Sequence, residues 1–257
     1  MVTRLLISFV ILLNLIGVAD AAPLKVAVAA NFKPVLKQLT PQFEQQYQTK
    51  VSLSSASTGM LYAQIRHGAP FDILLAADEK RPALLEKEQR IVAGSRQTYA
   101  IGQLVLWHKN QAAPDQALLT GWNKKIAIAN AKTAPYGMAA KSVLQHLNLW
   151  QQKRPLLVTG SNIAQTQQFI ESGNAVLGFV GLSQVKGQVK GQVKGQLQAH
   201  DKSYWVLPAD WYPQLNQQLV ILKRSKNPAA KTFVNWLLSA KIQQQLVAAG
   251  YGSSLAH

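Results

Sequence analysis

The sequence predicts an α/β protein in two lobes, each a mostly parallel sheet flanked by helices, and three observations carry that reading. Short apolar strands alternate with helical segments along the first half, the pattern of a mostly parallel sheet covered by helices. A long strand over 98–107 leads out of the first such unit and another at 219–222 leads back, which suggests two lobes joined by a paired crossover. Three times an apolar strand runs through a short polar turn into a helix. The turns are Ala29-Ala30-Asn31-Phe32 after strand 24–28, Ala56-Ser57-Thr58-Gly59 after 51–54, and Ala134-Pro135-Tyr136-Gly137 after 126–129. Ligands in such sheets sit at the carboxyl ends of the strands, where these turns fall.

Taken in order, strand 24–29 is followed by Asn31, a good N-cap, and Pro34 is tolerated in the first turn of the next helix. Val35, Leu36, Leu39, Phe43 and Tyr47 recur at helical spacing, and Pro41 should bend this helix or delay its start. Strand 51–54 follows, then a helix over 58–67 closed by Gly68, strand 71–76, and a helix over 81–88 capped by Asp78. The second unit takes strand 98–107, strand 126–129, helix 138–147, strand 156–158, helix 163–171 and strand 176–180. After strand 219–222 come helices over 229–238 and 242–249. The chain thus divides into an export signal over 1–21, a first lobe over 22–102 completed by 218–257, and a second lobe over 103–217. Gln184-Val185-Lys186-Gly187 repeats as 188–191 and again as 192–195. Units this short do not build a solenoid, and glycine at every fourth position suits a hairpin or flexible surface loop.

Residues 1–21 carry the export reading. Arg4 gives a basic start, the apolar run over 5–18 is shorter than the roughly 20 residues a bilayer span needs, and Ala19-Asp20-Ala21 is a small-x-small cleavage pattern. The chain has no cysteine, so an exported form rests on an ordinary core and lacks the usual lipid attachment point. The expectation is a periplasmic monomer. With 48% apolar and 15% charged residues the composition is globular. The net charge of +16 invites a nucleic-acid partner, but the bases are dispersed apart from Lys223-Arg224-Ser225-Lys226 and the repeat lysines. No nucleic-acid-binding signature accompanies them, so the reading is no nucleic acid and a basic surface that concentrates anions.

A helix start leaves about four backbone N–H groups without partners and carries roughly half a positive charge. Several such ends converging on one point make an anion site without any charged side chain. Asn31, Ser57 and Thr58 stand at these ends, although each could simply cap its helix. Tyr136 could donate to an anion or cover an apolar edge, and the sequence leaves both open. Catalytic signatures are missing: there is no phosphate loop, no His-Glu-x-x-His, no Gly-x-Ser-x-Gly elbow and no thiol. His67, His108, His146 and His200 stand singly, His257 is terminal, and Asp72 with Asp78 does not make an acid–base pair. The expectation is a binder of a small anion, not an enzyme.

Residues 26–31, 54–58 and 96–98, and above all Gly68-Ala69-Pro70-Phe71-Asp72 running on to Ala77-Asp78, resemble the periplasmic molybdate-binding proteins of molybdate ABC transporters. The resemblance implies a two-lobe periplasmic binding protein with two crossover strands, closing over one tetrahedral oxyanion. It implies molybdate or tungstate as ligand, no cofactor, no side chain bonded directly to the metal, and a membrane permease as partner. Carried over by position, the contacts fall on Asn31 with Ala30 before it, on Thr58 with Ser57 adjacent, on Tyr136, and on the backbone of Ile163 after Ser161-Asn162. Some members add a tyrosine where this chain has Gly181, so Tyr136 is expected to supply the phenol instead. The chemistry agrees: a buried dianion without counter-charge needs hydrogen bonds to every oxygen, and a donor-only site provides them. Sulfate differs from molybdate in size, and phosphate carries a proton that would want an acceptor. The alternatives are a binder of sulfate, phosphate or an organic acid, an exported α/β hydrolase, and a polyanion-binding surface protein.

Overall fold

The computed structural model describes residues 22–109, 113–189 and 203–252. The expected signal over 1–21 and the later repeat residues over 190–195, with 196–202 after them, lie outside that range. The chain opens with β1 (Leu24–Ala29), α1 (Lys33–Tyr47), β2 (Val51–Ala56), α2 (Thr58–Arg66), β3 (Ile73–Leu75), α3 (Lys80–Lys87) and β4 (Gln97–Gly102). It continues through β5 (Leu104–His108), α4 (Gln116–Gly121), β6 (Ile126–Ala129), α5 (Pro135–His146), α6 (Trp150–Lys153), β7 (Leu157–Gly160), α7 (Ile163–Glu171), β8 (Leu177–Gly181), α8 (Leu182–Val189) and β9 (Tyr204–Val206). It closes with β10 (Leu215–Ile221), α9 (Ala229–Leu237) and α10 (Ala240–Ala248).

These strands form two sheets, in the orders β2-β1-β3-β10-β4 and β7-β6-β8-β5-β9. In each sheet three strands run parallel, β2-β1-β3 in one and β7-β6-β8 in the other, and the next strand is antiparallel. Helices cover the sheet faces, as parallel strands buried on both sides require. One face of the first sheet packs on α1, α9 and α10, with Phe43 set 5.1 Å from the ring of Phe233 and 5.2 Å from Trp236. The opposite face buries Leu61, Ile65 and Leu85 from α2 and α3.

Three sequence expectations change here. The strand expected over 98–107 is two strands in different sheets, β4 and β5, with Gln103 alone between them. That residue is held on the second side, where its carbonyl accepts from Leu182 N–H at 2.9 Å and the following Leu104 N–H donates to the Tyr212 hydroxyl at 3.2 Å. The return path crosses over 207–214, since β10 begins at Leu215 and not at the expected 219. Helix α1 already starts at Lys33, so Pro41 does not delay it. Proline withholds the N–H that the Lys37 carbonyl would have taken, and the Thr40 hydroxyl stands in by donating to Leu36 at 2.9 Å or Lys37 at 3.2 Å.

The repeat differs as well. Its first unit, expected as loop or hairpin, lies within α8, which leaves β8 at once and spans Leu182–Val189. Val185 packs into the second lobe's core, and Gln184 is 5% exposed. An inward-facing Val and Gln one residue apart in the first copy hold it in a helix despite its glycine.

Candidate anion-binding site

Four turns of chain meet between the two sheets. In the turn after β1, Ala30 N–H donates to Ala56 at 3.0 Å and Phe32 N–H to Ala29 at 2.9 Å, which leaves the N–H of Asn31 between them for a ligand. The other three are the starts of α2, α5 and α7, whose leading N–H groups have no intrahelical acceptor. Ala29, Ala30, Asn31, Ser57, Thr58, Ala77, Ala134, Pro135, Tyr136 and Ile163 line a cavity of about 10 Å³, counted as room for the centre of a water-sized sphere. All six residues expected at the site line it, and no charged side chain among the described residues does.

Ser57 is extended and precedes α2, yet its side chain caps nothing. Its hydroxyl is buried and has no hydrogen-bond partner among the described residues. A buried polar group left unpaired costs about 1–3 kcal/mol, so this one is poised for an occupant of the cavity. Thr58, fully buried, accepts Ala77 N–H at 3.0 Å on its oxygen, which leaves its proton to donate. At α7 the Asn162 carboxamide oxygen accepts from Ala164 N–H at 2.9 Å and Gln165 N–H at 3.1 Å. The N–H of Ile163, first in the helix, remains for a ligand.

Asn31 does not cap α1, contrary to expectation: Phe32 holds that position and no side-chain bond is made there. A buried network draws the Asn31 side chain elsewhere. Its amide donates to Gln217 Oε1 at 3.0 Å and to the Tyr251 hydroxyl at 3.4 Å, and Tyr251 donates in turn to the Asn31 carbonyl at 3.1 Å. What Asn31 offers the cavity is therefore its backbone N–H.

Tyr136 is 2% exposed, and its oxygen accepts from Gln217 Nε2 at 3.1 Å. Burial, helped by Tyr251 and Tyr212, pushes its phenol well above the ordinary value, against a downward pull from the Gln217 and Asn31 amides. It stays protonated and can donate. Its ring fills the space beside Gly181, where an added Cβ would come within 3.1 Å of ring Cε1. A side chain at 181 and the ring of Tyr136 compete for one volume, so the phenol of Tyr136 and the glycine at 181 belong to the same arrangement.

The acids and histidines are employed elsewhere. Asp72 accepts from Lys25 N–H at 2.8 Å and from the Ser225 hydroxyl at 2.7 Å. Asp78 accepts from Arg81 N–H at 3.0 Å and pairs with its guanidinium at 2.6 Å, while Arg81 also donates to the Lys132 carbonyl at 3.1 Å. His146 stacks on Trp211, His108 meets the edge of Trp122, and His67 is exposed at the end of α2. His200 and His257 lie outside the described residues.

Gln217, Tyr251, Gly59 and Gln184 contribute without having been singled out in the sequence. Gly59 N–H donates across the cleft to the Thr133 carbonyl at 2.9 Å. Gln184 accepts from Gly181 N–H at 2.9 Å and donates to the Ile163 carbonyl at 3.2 Å and to Gln167 at 2.8 Å. The first repeat unit thus braces the start of α7. Gln184→Ala should weaken anion binding about five- to tenfold through loss of about 1 kcal/mol of support, whereas deleting the units 188–191 and 192–195 should leave affinity within twofold. Titration calorimetry on both variants checks this, and equal losses would sink the separation of the units.

Two α/β lobes, joined by two short crossings and enclosing a buried cavity lined with donors, define a solute-capturing protein of the two-lobe class. The chain belongs to the bacterial extracellular solute-binding protein family, whose model matches residues 24–252. It is 46% identical to the molybdate-binding protein ModA of Azotobacter vinelandii over 91% of each chain. It is 36% identical to ModA of Rhodobacter capsulatus over 91% of this chain and 89% of that one. Among solved structures, the Azotobacter vinelandii periplasmic molybdate-binding protein superposes with a TM-score of 0.80 at 38% identity, over 89% of this chain and 98% of that one.

Proposed function

We propose that this protein captures molybdate, and tungstate with it, between its lobes in the periplasm and delivers it as a monomer to the membrane permease of an ABC transporter. The observation that carries the reading is the unpartnered, buried Ser57 hydroxyl in a cavity that offers donors and no charge. In this reading the backbone N–H groups of Asn31 and Ile163 and the hydroxyls of Ser57, Thr58 and Tyr136 hold the oxyanion, with Ala30 shaping the wall. A fully ionised dianion suits such a set, because every oxygen accepts and none needs to donate. The similarity to molybdate-binding relatives supports the same ligand. The protein binds and releases; it carries out no reaction.

Titration calorimetry with molybdate, tungstate, sulfate and phosphate tests this. Molybdate and tungstate should bind tightly and the smaller or protonated anions far more weakly. At about 100 times the dissociation constant, linkage adds roughly 2.7 kcal/mol, a rise of roughly 5–10 °C in melting temperature for a chain of this size. Affinity should hold level from about pH 6 to 9, because burial pushes the Tyr136 phenol upward, out of that window, and no other titrating side chain among the described residues lines the cavity. Equal affinity for sulfate and molybdate would replace the ligand assigned here.

A further inference from the structure

Gln217 stands at the centre of the buried network and touches both lobes. It is fully buried on β10, where the pairing with β4 slips: Gln217 faces Ala100, Gln218 faces Thr98, and Tyr99 is the extra residue between. Such a bulge re-aims side chains, and here the Tyr99 hydroxyl reaches Gln217 Oε1 at 3.0 Å, with the Ala76 carbonyl at 3.1 Å as its other acceptor. Gly102 lies beneath the meeting point of Gln217 and Tyr136. A Cβ there would run into the Tyr136 hydroxyl and come within 2.8 Å of Gln217 Nε2, so the contact depends on glycine at 102.

The direction of every bond in this network follows from one group that can only accept. The Asn31 backbone carbonyl takes the proton of Tyr251. The Tyr251 oxygen must then act as acceptor, so it faces the Asn31 side-chain amide N–H. That NH₂ also donates to Gln217, which obliges Gln217 to present Oε1 on that side, where Tyr99 can donate as well. Gln217 Nε2 is left pointing at the Tyr136 oxygen and donates to it. With its oxygen serving as acceptor there, Tyr136 has its own proton to spend elsewhere. A flipped Gln217 would set N–H against N–H at Asn31 and forfeit a buried hydrogen bond.

We propose that Gln217 is a positioning residue for anion recognition: through a one-way chain of hydrogen bonds from the Asn31 carbonyl, it turns the Tyr136 proton toward the cavity. This rests on the reading of the cavity as an oxyanion site. Gln217 does not line the cavity and acts only through the phenol. Tyr136 belongs to the second lobe and Gln217 to the first sheet, so the chain of bonds is complete only with the lobes together.

The test is a double-mutant cycle on molybdate affinity, using Gln217→Leu and Gln217→Glu, each in the parent and in a Tyr136→Phe background, with the ligand-free melting temperature of every variant measured alongside. Gln217→Leu should weaken binding about three- to tenfold in the parent and leave it unchanged in the Tyr136→Phe background. Gln217→Glu supplies an acceptor that draws the Tyr136 proton away. Its cost should be at least tenfold larger in the parent than in the background lacking the phenol hydroxyl, where only its charge acts. Equal costs in both backgrounds would make Gln217 a packing residue and overturn the proposal. If either Gln217 variant fails to fold, Tyr251→Phe replaces it. That variant removes the first donor of the chain, and the same coupling is expected. The parent protein is the control for the ligand: if molybdate fails to bind there, the ligand reading falls, and the cycle proceeds with whichever anion of the panel binds.

Discussion

Ser57→Asp should abolish anion binding while leaving the ligand-free protein folded. Among the described residues, the Ser57 oxygen is the one unpartnered buried side-chain atom at the cavity wall, and a carboxylate there would face a dianion at contact distance. At about 4 Å and an effective dielectric near 20, each pair of unit charges repels by about 4 kcal/mol, so a dianion meets about 8 kcal/mol. That is beyond recovery by any other donor in the set. Ser57→Ala removes only a hydrogen bond to a charged group, about 1.5–3 kcal/mol, and should cost roughly 10- to 150-fold. Calorimetry with molybdate reads both variants, and circular dichroism reports the fold. Retention of measurable affinity by the aspartate variant would place the anion elsewhere.

Gly59→Val should lower affinity by about a hundredfold without lowering the melting temperature of the ligand-free protein. Gly59 lies in the first turn of α2 in the first lobe, and a Cβ there would lie 2.9 Å from the Thr133 carbonyl oxygen and 3.0 Å from Thr133 Cα in the second. Both obstacles are backbone and cannot swing aside. The added side chain also displaces the bond from Gly59 N–H to Thr133. The clash exists only when the lobes meet, so its cost falls on closure and not on folding. Small-angle scattering supplies an independent reading: parent protein saturated with molybdate should contract, and the valine variant should keep the radius of gyration of its ligand-free form. A parallel fall in ligand-free stability would show that the two lobes are one rigid body.

The residues at the cavity were readable because each is set by local chemistry. A strand end, a small polar turn and a helix start are encoded within a few residues, which is why Asn31, Ser57, Thr58 and Tyr136 could be picked out before any contact was known, while Ala30 and Ile163 came from the family resemblance. Helix α7 matches its expected span because Asn162 caps it through two backbone bonds. The passage from β4 to β5 was hidden for the opposite reason. Both strands are apolar, and nothing in Gly102-Gln103 distinguishes a change of sheet from a continuous strand. The capping role read for Asn31 failed because its side chain's partners, Gln217 and Tyr251, lie 186 and 220 residues further along. No periodicity reports a contact of that reach, and one glutamine in the run Asn216-Gln217-Gln218 carries no mark of being a hub. The repeat misled through composition: glycine spacing suggested a loop, while burial of Gln184 and Val185 decided for helix.

The donors around the cavity are divided between the lobes, with Asn31, Ser57 and Thr58 on one side and Tyr136 and Ile163 on the other. A guest held in this way has no partial escape. Once the walls separate it loses about half its hydrogen bonds in a single movement. Residence time is then governed by how often the jaws part, and hardly by the guest's own mobility. A membrane partner that prises the lobes a few ångströms apart would need no chemistry and no competing ligand to unload the cargo. The same undivided event would make tight scavenging at trace concentration compatible with prompt surrender at the membrane.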